Sequence, residues 1–446
     1  MSGTDPYLPG HGDGRFEVEH YDLDLAYRPS GNHLDARAVL RVRTTEPTDA
    51  VELDLYRLRV RDVSVEGATV TRWTHRRSRL RLRFDEEVPA GTSLVVHVVY
   101  GGNPQPMPGP DGRAGWEELT DGLIVAAQPH GAPSWFPCND RMDDKALYRI
   151  TVVTDPTYHV VANGRLVERA KAGRGMRWVH EHDEPMAPYL VTLQIGRYVR
   201  ESVDGEGVPQ TLVGPPARMP AVRDAFADQP RMLELFEELF GPYPFEGYTV
   251  VVTDDPLEIP LESQTLSTFG SNHLTRDWEA QRLIAHELAH QWFGNAVTAL
   301  RLSDIWLHEG FACYAEWLWA EECGVSTADD EARRHHDLLA AEKEDLLLTD
   351  PGKDRTFDDR VYKRGACALH ALRGHLGDDR FFGLLRDWVA THRYGNVSTN
   401  DFLLAVEALD GEAAVALLEP WLRATDLPGL EPHRVEVGYQ GSDGSD

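Results

Sequence analysis

The 446-residue sequence predicts an α+β, multidomain chain. An amino-terminal all-β domain of sandwich or saddle form, residues 12–200, is followed by an α-rich domain, 201–430, and a polar tail, 431–446. Three observations predict this. Apolar residues alternate with period two through the first part of the chain; beyond it they recur at helical spacing; and the two regimes meet near residue 200. The length suits two or three domains and not one.

The first elements read as strands. In RFEVEHYDLDLAYR, Phe16 and Val18, then Tyr21, Leu23 and Leu25, fall on shared faces. SRLRLRF, SLVVHVVY and KALYRITVVTD keep the same period, and turn clusters such as GGNPQPMPGPDGRAG end the elements between them. The pattern changes near Gly205. ARMPAVRDAFADQPRMLELFEELFG spaces its apolar residues as a helix does, GYTVVVTD is a short strand, and helices dominate from Trp278 onward. There is no internal repeat. The end, GYQGSDGSD, is polar and expected to fray.

Composition excludes several classes of partner. Asp and Glu number 73 against 45 Lys and Arg, a net charge of −28. Such a surface repels phosphate backbones and anionic lipid, which argues against nucleic-acid or membrane binding. Cys138, Cys313, Cys323 and Cys367 form no Cys-x-x-Cys pair and read as free thiols in a reducing compartment. The start, MSGTDPYLPGHGDGRF, has no basic, then apolar, leader, and no segment approaches the ~20 apolar residues that span a bilayer. The expectation is a soluble, cytoplasmic protein of open oligomeric state.

The chemistry gathers at HELAHQWFGN, His286 to Asn295. The surrounding DWEAQRLIAHELAHQWFG is punctuated as a helix, with Thr275 or Asp277 to cap its start and Gly294 with Asn295 to end it. One turn apart, His286 and His290 project from one face, within reach of a single tetrahedral zinc. Glu287 sits about 100° further round, free to face the metal's open side as a base without ligating it. A bare H-E-x-x-H occurs by chance; a third ligand decides. SDIWLHEGFACYAEWLWAEECG reads as the next helix, starting behind Ser303 or Asp304 and stopping at Gly324. It carries Glu309, separated from His290 by eighteen residues. An antiparallel pair of helices would bring that carboxylate to the metal, leaving a fourth position for water.

These motifs resemble the aminopeptidase N family of gluzincin zinc peptidases, which also includes the leukotriene hydrolase. The likeness rests on H-E-x-x-H followed after eighteen residues by Glu309, on QWFGN, and on WLHEGFACYAE. PMAPYLVTLQIGRY, LFGPYPFEGYTVVV, VYKRGACALHAL and AAQPHGAPSWFPCND extend it in the family's order over residues 15 to 410. The resemblance implies a thermolysin-like catalytic domain behind the β-domain, one zinc per chain on His286, His290 and Glu309, and Glu287 as general base. It places Tyr362 on the family's oxyanion-stabilising tyrosine. It places Glu262, in EIPLESQT, on the carboxylate that binds a substrate's α-amine, and Gln128 on a substrate-pocket glutamine that is otherwise a polar loop residue.

The chain also departs from the family. Ile259-Pro260-Leu261 stand where glycine and alanine are usual, and Pro260 removes a backbone donor. His308 replaces an asparagine and reads as a group behind the ligands or an exposed one, not a fourth ligand, because neighbours on a helix point apart. Glu316 reads either as a partner to a ligand or as solvent-exposed. After the Tyr362 helix there is room for DRFFGLLRDWVATH, STNDFLLAVEAL and one more helix near Ala414 to Ala424, so the chain resembles a short form without the family's carboxy-terminal helical domain. Its cleft is expected to be open. The implied function is a zinc aminopeptidase acting on peptides. The rivals are a zinc endopeptidase or leader-trimming peptidase, an epoxide hydrolase, and a non-catalytic binding scaffold.

Overall fold

The computed structural model describes residues 5–109, 112–203, 207–342 and 346–430; the expected tail, 431–446, lies outside them. Strand Phe16–Arg28 pairs antiparallel with His33–Thr44 and parallel with Ala146–Thr154, at the centre of a seven-stranded sheet. Its register shifts between Val18 and His20. That bulge changes the phase of the alternation, so that Phe16, Val18, Tyr21, Leu23 and Leu25 are all buried. A five-stranded sheet (His159–Ala162, Leu193–Gly196, Gly122–Ala126, Gly112–Leu119, Met107–Gly109) and a three-stranded one (Thr48–Asp54, Arg79–Val88, Val70–Arg76) complete the β-rich part. Tyr21 stacks on Tyr148 of the neighbouring strand, centroids 4.9 Å apart, with Phe136 edge-on at 5.5 Å.

The strand Val199–Val203 straddles the expected boundary at 200. It opens a mixed sheet ordered Val199–Val203, Gln210–Gly214, Tyr248–Val252, Leu266–Phe269, Leu261–Ser263. Its three central strands are parallel and buried on both faces, so they carry no period of two. The helices are α1 (Met219–Ala225), α2 (Gln229–Phe240), α3 (Trp278–Ala289), α4 (Trp306–Glu322), α5 (Ala328–Ala341), α6 (Asp359–Leu376), α7 (Asp378–His392), α8 (Thr399–Asp410) and α9 (Glu412–Arg423). The single helical run expected before Gly241 is therefore two helices, with Pro230 in the first turn of α2.

Helix α4 is buried on every side from Trp306 to Ala320, as its nearly continuous apolar sequence demands. It crosses α6 where glycine meets glycine. A Cβ on Gly310 would come within 2.9 Å of Gly365 Cα, and one on Gly365 within 2.8 Å of Gly310 Cα. The bare crossing brings the first turn of α6, with Tyr362, up to the ligand-bearing turn of α4. All four cysteines are free thiols, and Cys323 alone among them is exposed. Among the described residues no helix is long and apolar enough to cross a membrane.

Candidate active site

Asp277 caps α3, its carboxylate accepting from Ala280 N at 3.0 Å. The helix does not run on to Gly294 and Asn295 as expected: it ends at Ala289, with His290 as its cap residue. Beyond it the chain winds in wider turns, Asn295 N to His290 O at 3.0 Å and Ala296 N to Gln291 O at 3.1 Å, and Gly294 takes a φ of +122° that few other residues adopt. The start of α4 differs too. A short 3-10 turn, Leu302–Asp304, leads into it with no side-chain cap, and Asp304 instead accepts from Thr399.

These two helices bring His286, His290 and Glu309 together, their ligand atoms all within 4.8 Å of one another. His286 Nε2 and His290 Nε2 lie 3.5 and 3.4 Å from Glu309 Oε2. Ligands on ~2.0 Å bonds around a tetrahedral zinc stand about 3.3 Å apart, so the spacing suits that ion. The outer nitrogens are spoken for: His286 Nδ1 meets Glu316 Oε1 at 2.8 Å and His290 Nδ1 meets Phe293 O at 3.0 Å. Protons held there leave both Nε2 lone pairs facing inward. The electrostatics agree. Burial pushes His286 down, but its hydrogen bonds to Glu309 and Glu316 reverse this and lift it to about 10; His290 is lifted to about 9 against the same penalty, chiefly by Glu309 and Glu262. The triad is a place that calls for a cation, and the donor set fits zinc.

Glu287 is 4 % exposed, and its Oε2 has no hydrogen-bond partner among the described residues. Burial, then the charge of Glu262, pushes its carboxyl up to about 8. The Tyr362 ring stacks on His286 with centroids 5.9 Å apart and planes 21° apart. Burial, with Glu309, Glu262 and Glu287 nearby, holds its phenol well above the ordinary value, so it remains an O–H donor. Glu262 sits on the edge strand Leu261–Ser263, half-buried, its carboxyl raised by burial and by Glu309 against the pull of His290. Gln128, from the β-rich part, lines the same cleft with a buried Nε2 that has no partner among the described residues. The cleft encloses about 1260 Å³. The exposed side chains of Ile259 and Val325 stand in its wall.

Glu316 is buried against His286, and Lys363, His286 and Arg282 overcome the burial penalty to hold it at about 2. His308 is buried as well, so the exposed alternative fails; its Nε2 accepts from Ala299 N at 2.6 Å and braces the loop after α3. Sequence reasoning missed Gln291 and Asn295. Gln291 accepts from Thr265 N at 2.8 Å and donates to Ser263 O at 3.2 Å, and Asn295 Nδ2 donates to Glu262 O at 2.8 Å. They tie the Glu262 hairpin to the metal helix. The signal was present: two fully buried amides within QWFGN. Lys145 was missed too; its ammonium donates to Asn295 O at 3.2 Å and Ala296 O at 3.1 Å, from the β-rich part to the loop after the metal helix.

A β-rich half, a mixed sheet with helices, and a His-His-Glu triad with a carboxylic acid in reach define a two-part zinc metallopeptidase. Sequence comparison agrees. The Peptidase M1 N-terminal domain model matches residues 17–190 and the Peptidase family M1 domain model residues 225–421. The M1 zinc metallopeptidase of Deinococcus radiodurans superposes with a TM-score of 0.87 at 30% identity, over 97% of this chain and 99% of that one. The chain belongs to peptidase family M1. Aminopeptidase M1 of Arabidopsis thaliana is 27% identical over 78% of this chain and 42% of its own length. A probable M1 family aminopeptidase of Encephalitozoon cuniculi is 25% identical over 92% of this chain and 51% of its own length, so the chain spans about half the length of the curated relatives it matches. Yeast LTA4 hydrolase, at 20% identity and a TM-score of 0.79 over 94% of this chain and 69% of that one, shares the fold.

Proposed function

We propose that the protein is a zinc aminopeptidase, with catalysis in residues 201–430 and the 12–200 domain contributing Gln128 to the substrate pocket. One observation carries the reading: a half-buried carboxylate, Glu262, lines the same cleft as the metal triad, Glu287 and Tyr362. A partly desolvated carboxylate in the wall of such a cleft is a receptor for a substrate's α-ammonium. Bound there, the peptide presents its first amide to His286, His290 and Glu309. Zinc held by these three would polarise that carbonyl and make a water acidic enough to attack at neutral pH. Glu287 takes the proton from the attacking water and passes it to the nitrogen of the departing amine. The Tyr362 phenol donates to the oxygen on which charge builds. Gln128 assists Glu262 as a neutral acceptor, its side-chain carbonyl oxygen meeting the amine.

The open cleft with exposed Ile259 on its wall favours a second reading, an endopeptidase of the same chemistry. Mass spectrometry of a digested decapeptide separates the two. Stepwise loss of single residues from a free amino end, with the acetylated peptide resistant, supports the anchor. Internal fragments as first products from both peptides refute it. The substrates are peptides, and the four free thiols support a reducing compartment, the cytoplasm.

A further inference from the structure

The charges that line the catalytic cleft do not balance. Among the described residues several are paired: Arg282 with Glu279 at 2.8 Å and Glu316 at 3.2 Å, Arg334 with Glu331 at 2.5 Å, and Lys363 with Asp359 at 3.9 Å. His335 is neutral, brought down to about 4 first of all by burial. Apart from the metal triad and Glu287, this leaves Glu117, Glu258 and Glu262 against one cation, Arg113. None of these four has an ion-pair partner among the described residues. A substrate's α-ammonium answers Glu262, and Arg113 offsets one of the other two. One negative charge stays uncompensated.

Glu117 is the better placed of the two to use it. Glu258 stands at the outer edge beside exposed Ile259, open to water that screens it. Glu117 lies on strand Gly112–Leu119, opposite Ile124 of strand Gly122–Ala126, and Gly115 lies opposite Ala126. Residues opposed in this way share a face, so Glu117, Ile124 and Ala126 form one surface of the cleft, which leads on to Gln128. Trp116, Leu123 and Val125 turn the other way, into the core. The Glu117 side chain opens to the cleft, yet the protein around it is dense enough that burial, then the charge of Asp255, raises its carboxyl above the ordinary value. Asp255 is itself engaged, accepting from Thr120 N at 2.6 Å. A partly desolvated carboxylate without a cation gains from an incoming one.

We propose that Glu117 is a specificity-determining residue, and that the enzyme prefers peptides whose first residue is lysine or arginine. This rests on the reading of Glu262 as the amine anchor. With the amine at Glu262 and Gln128, the first side chain follows the face towards Glu117. Its methylenes lie on Ile124 and Ala126, and its charged end meets the carboxylate. A short side chain stops before Glu117, and an acidic one is repelled. The net charge of −28 draws cationic peptides to the whole molecule, whatever the position of their charge; Glu117 adds a preference tied to one position.

The test is kcat/KM of the zinc-loaded enzyme on peptides that differ only in the first residue: lysine, its uncharged analogue norleucine, or glutamate. A fourth peptide begins with norleucine and carries the lysine at its fourth position, to measure the general attraction. The expected result is lysine first over norleucine first by about five- to tenfold, glutamate first poorest, and little gain from the distant lysine. Glu117→Gln should bring the lysine-to-norleucine ratio close to one and leave the norleucine rate unchanged. Single-residue loss at equal rates from lysine and norleucine peptides would overturn this proposal alone. So would a ratio that Glu117→Gln leaves intact, an equal gain from the distant lysine, or an equal slowing of every peptide by the variant. Cleavage inside all four peptides would overturn the aminopeptidase reading and this proposal with it.

Discussion

Glu316 Oε1 lies 2.8 Å from His286 Nδ1, and the other oxygen of the same carboxylate meets Arg282 Nη1 at 3.2 Å. The pair sets which imidazole nitrogen carries the proton, and so which one can bind metal. Glu316→Ala is expected to keep the fold and weaken zinc by about 10–100-fold, read by competition with a chromophoric chelator. Unchanged zinc affinity would reduce Glu316 to a packing residue.

Glu287 lies outside the group His286, His290 and Glu309. Glu287→Gln should retain about one zinc per chain by elemental analysis while turnover falls by roughly 10²–10⁴-fold. Loss of the metal in this variant would mean that Glu287 holds the site together and is not only its base.

Tyr362→Phe removes one hydroxyl and keeps the ring stacked on His286. The expected loss is about a hundredfold in kcat with zinc content intact. A near-normal rate would show that another donor serves the carbonyl oxygen.

Glu262→Ala removes the proposed amine receptor. For peptides with a free amino end, kcat/KM should drop by tens to hundreds of times, on the order of 2–4 kcal/mol. Acetylated peptides, poor substrates already, should change little. Equal losses on both would make Glu262 a structural residue.

Lys145 gives a pH signature. Its burial, against the carbonyls of Asn295 and Ala296, brings the amine down to about 7 from its ordinary 10.5. Between those values the unfolded chain binds more protons than the folded one, so this group's contribution makes stability rise with pH across that window. Below the window the folded state bears the full cost of the buried charge. Lys145→Met abolishes the effect. Denaturant unfolding of both proteins should show the variant gaining most over wild type near pH 7, with the gap closing towards pH 10. A gap that does not vary with pH would mean that Lys145 keeps its charge throughout.

Much of this was legible from spacing. The helical repeat placed His286, Glu287 and His290, and the eighteen-residue interval placed Glu309 opposite them, because both depend on local geometry and one short connection. The alternating strands were visible where one face meets solvent. Of the mixed sheet, Tyr248–Val252 was read as a strand, but its neighbours Gln210–Gly214 and Leu266–Phe269 were not, since short strands buried on both faces have no periodicity to read. Nor were the groups that aim the site. Gln291 and Asn295 act on backbone atoms of the distant Glu262 hairpin; the two amides stood out within QWFGN, but nothing local announces the segment they hold. The end of α3 was misjudged for a related reason. Gly294 and Asn295 do close the segment, but through wide turns that place the Asn295 amide on Glu262 O.

The glycine-on-glycine crossing of α4 and α6 has a consequence for how this enzyme can change. Glu309 and Tyr362 ride on helices that touch backbone to backbone, so no side chain at Gly310 or Gly365 can be enlarged to retune the distance between them. Variation is forced to the opposite wall. There the side chain of Ile259 stands exposed in the cleft wall and packs little. A library drawn to alter which peptides are accepted belongs on that lip, while the crossing is the part of the molecule that drift cannot touch without losing the reaction.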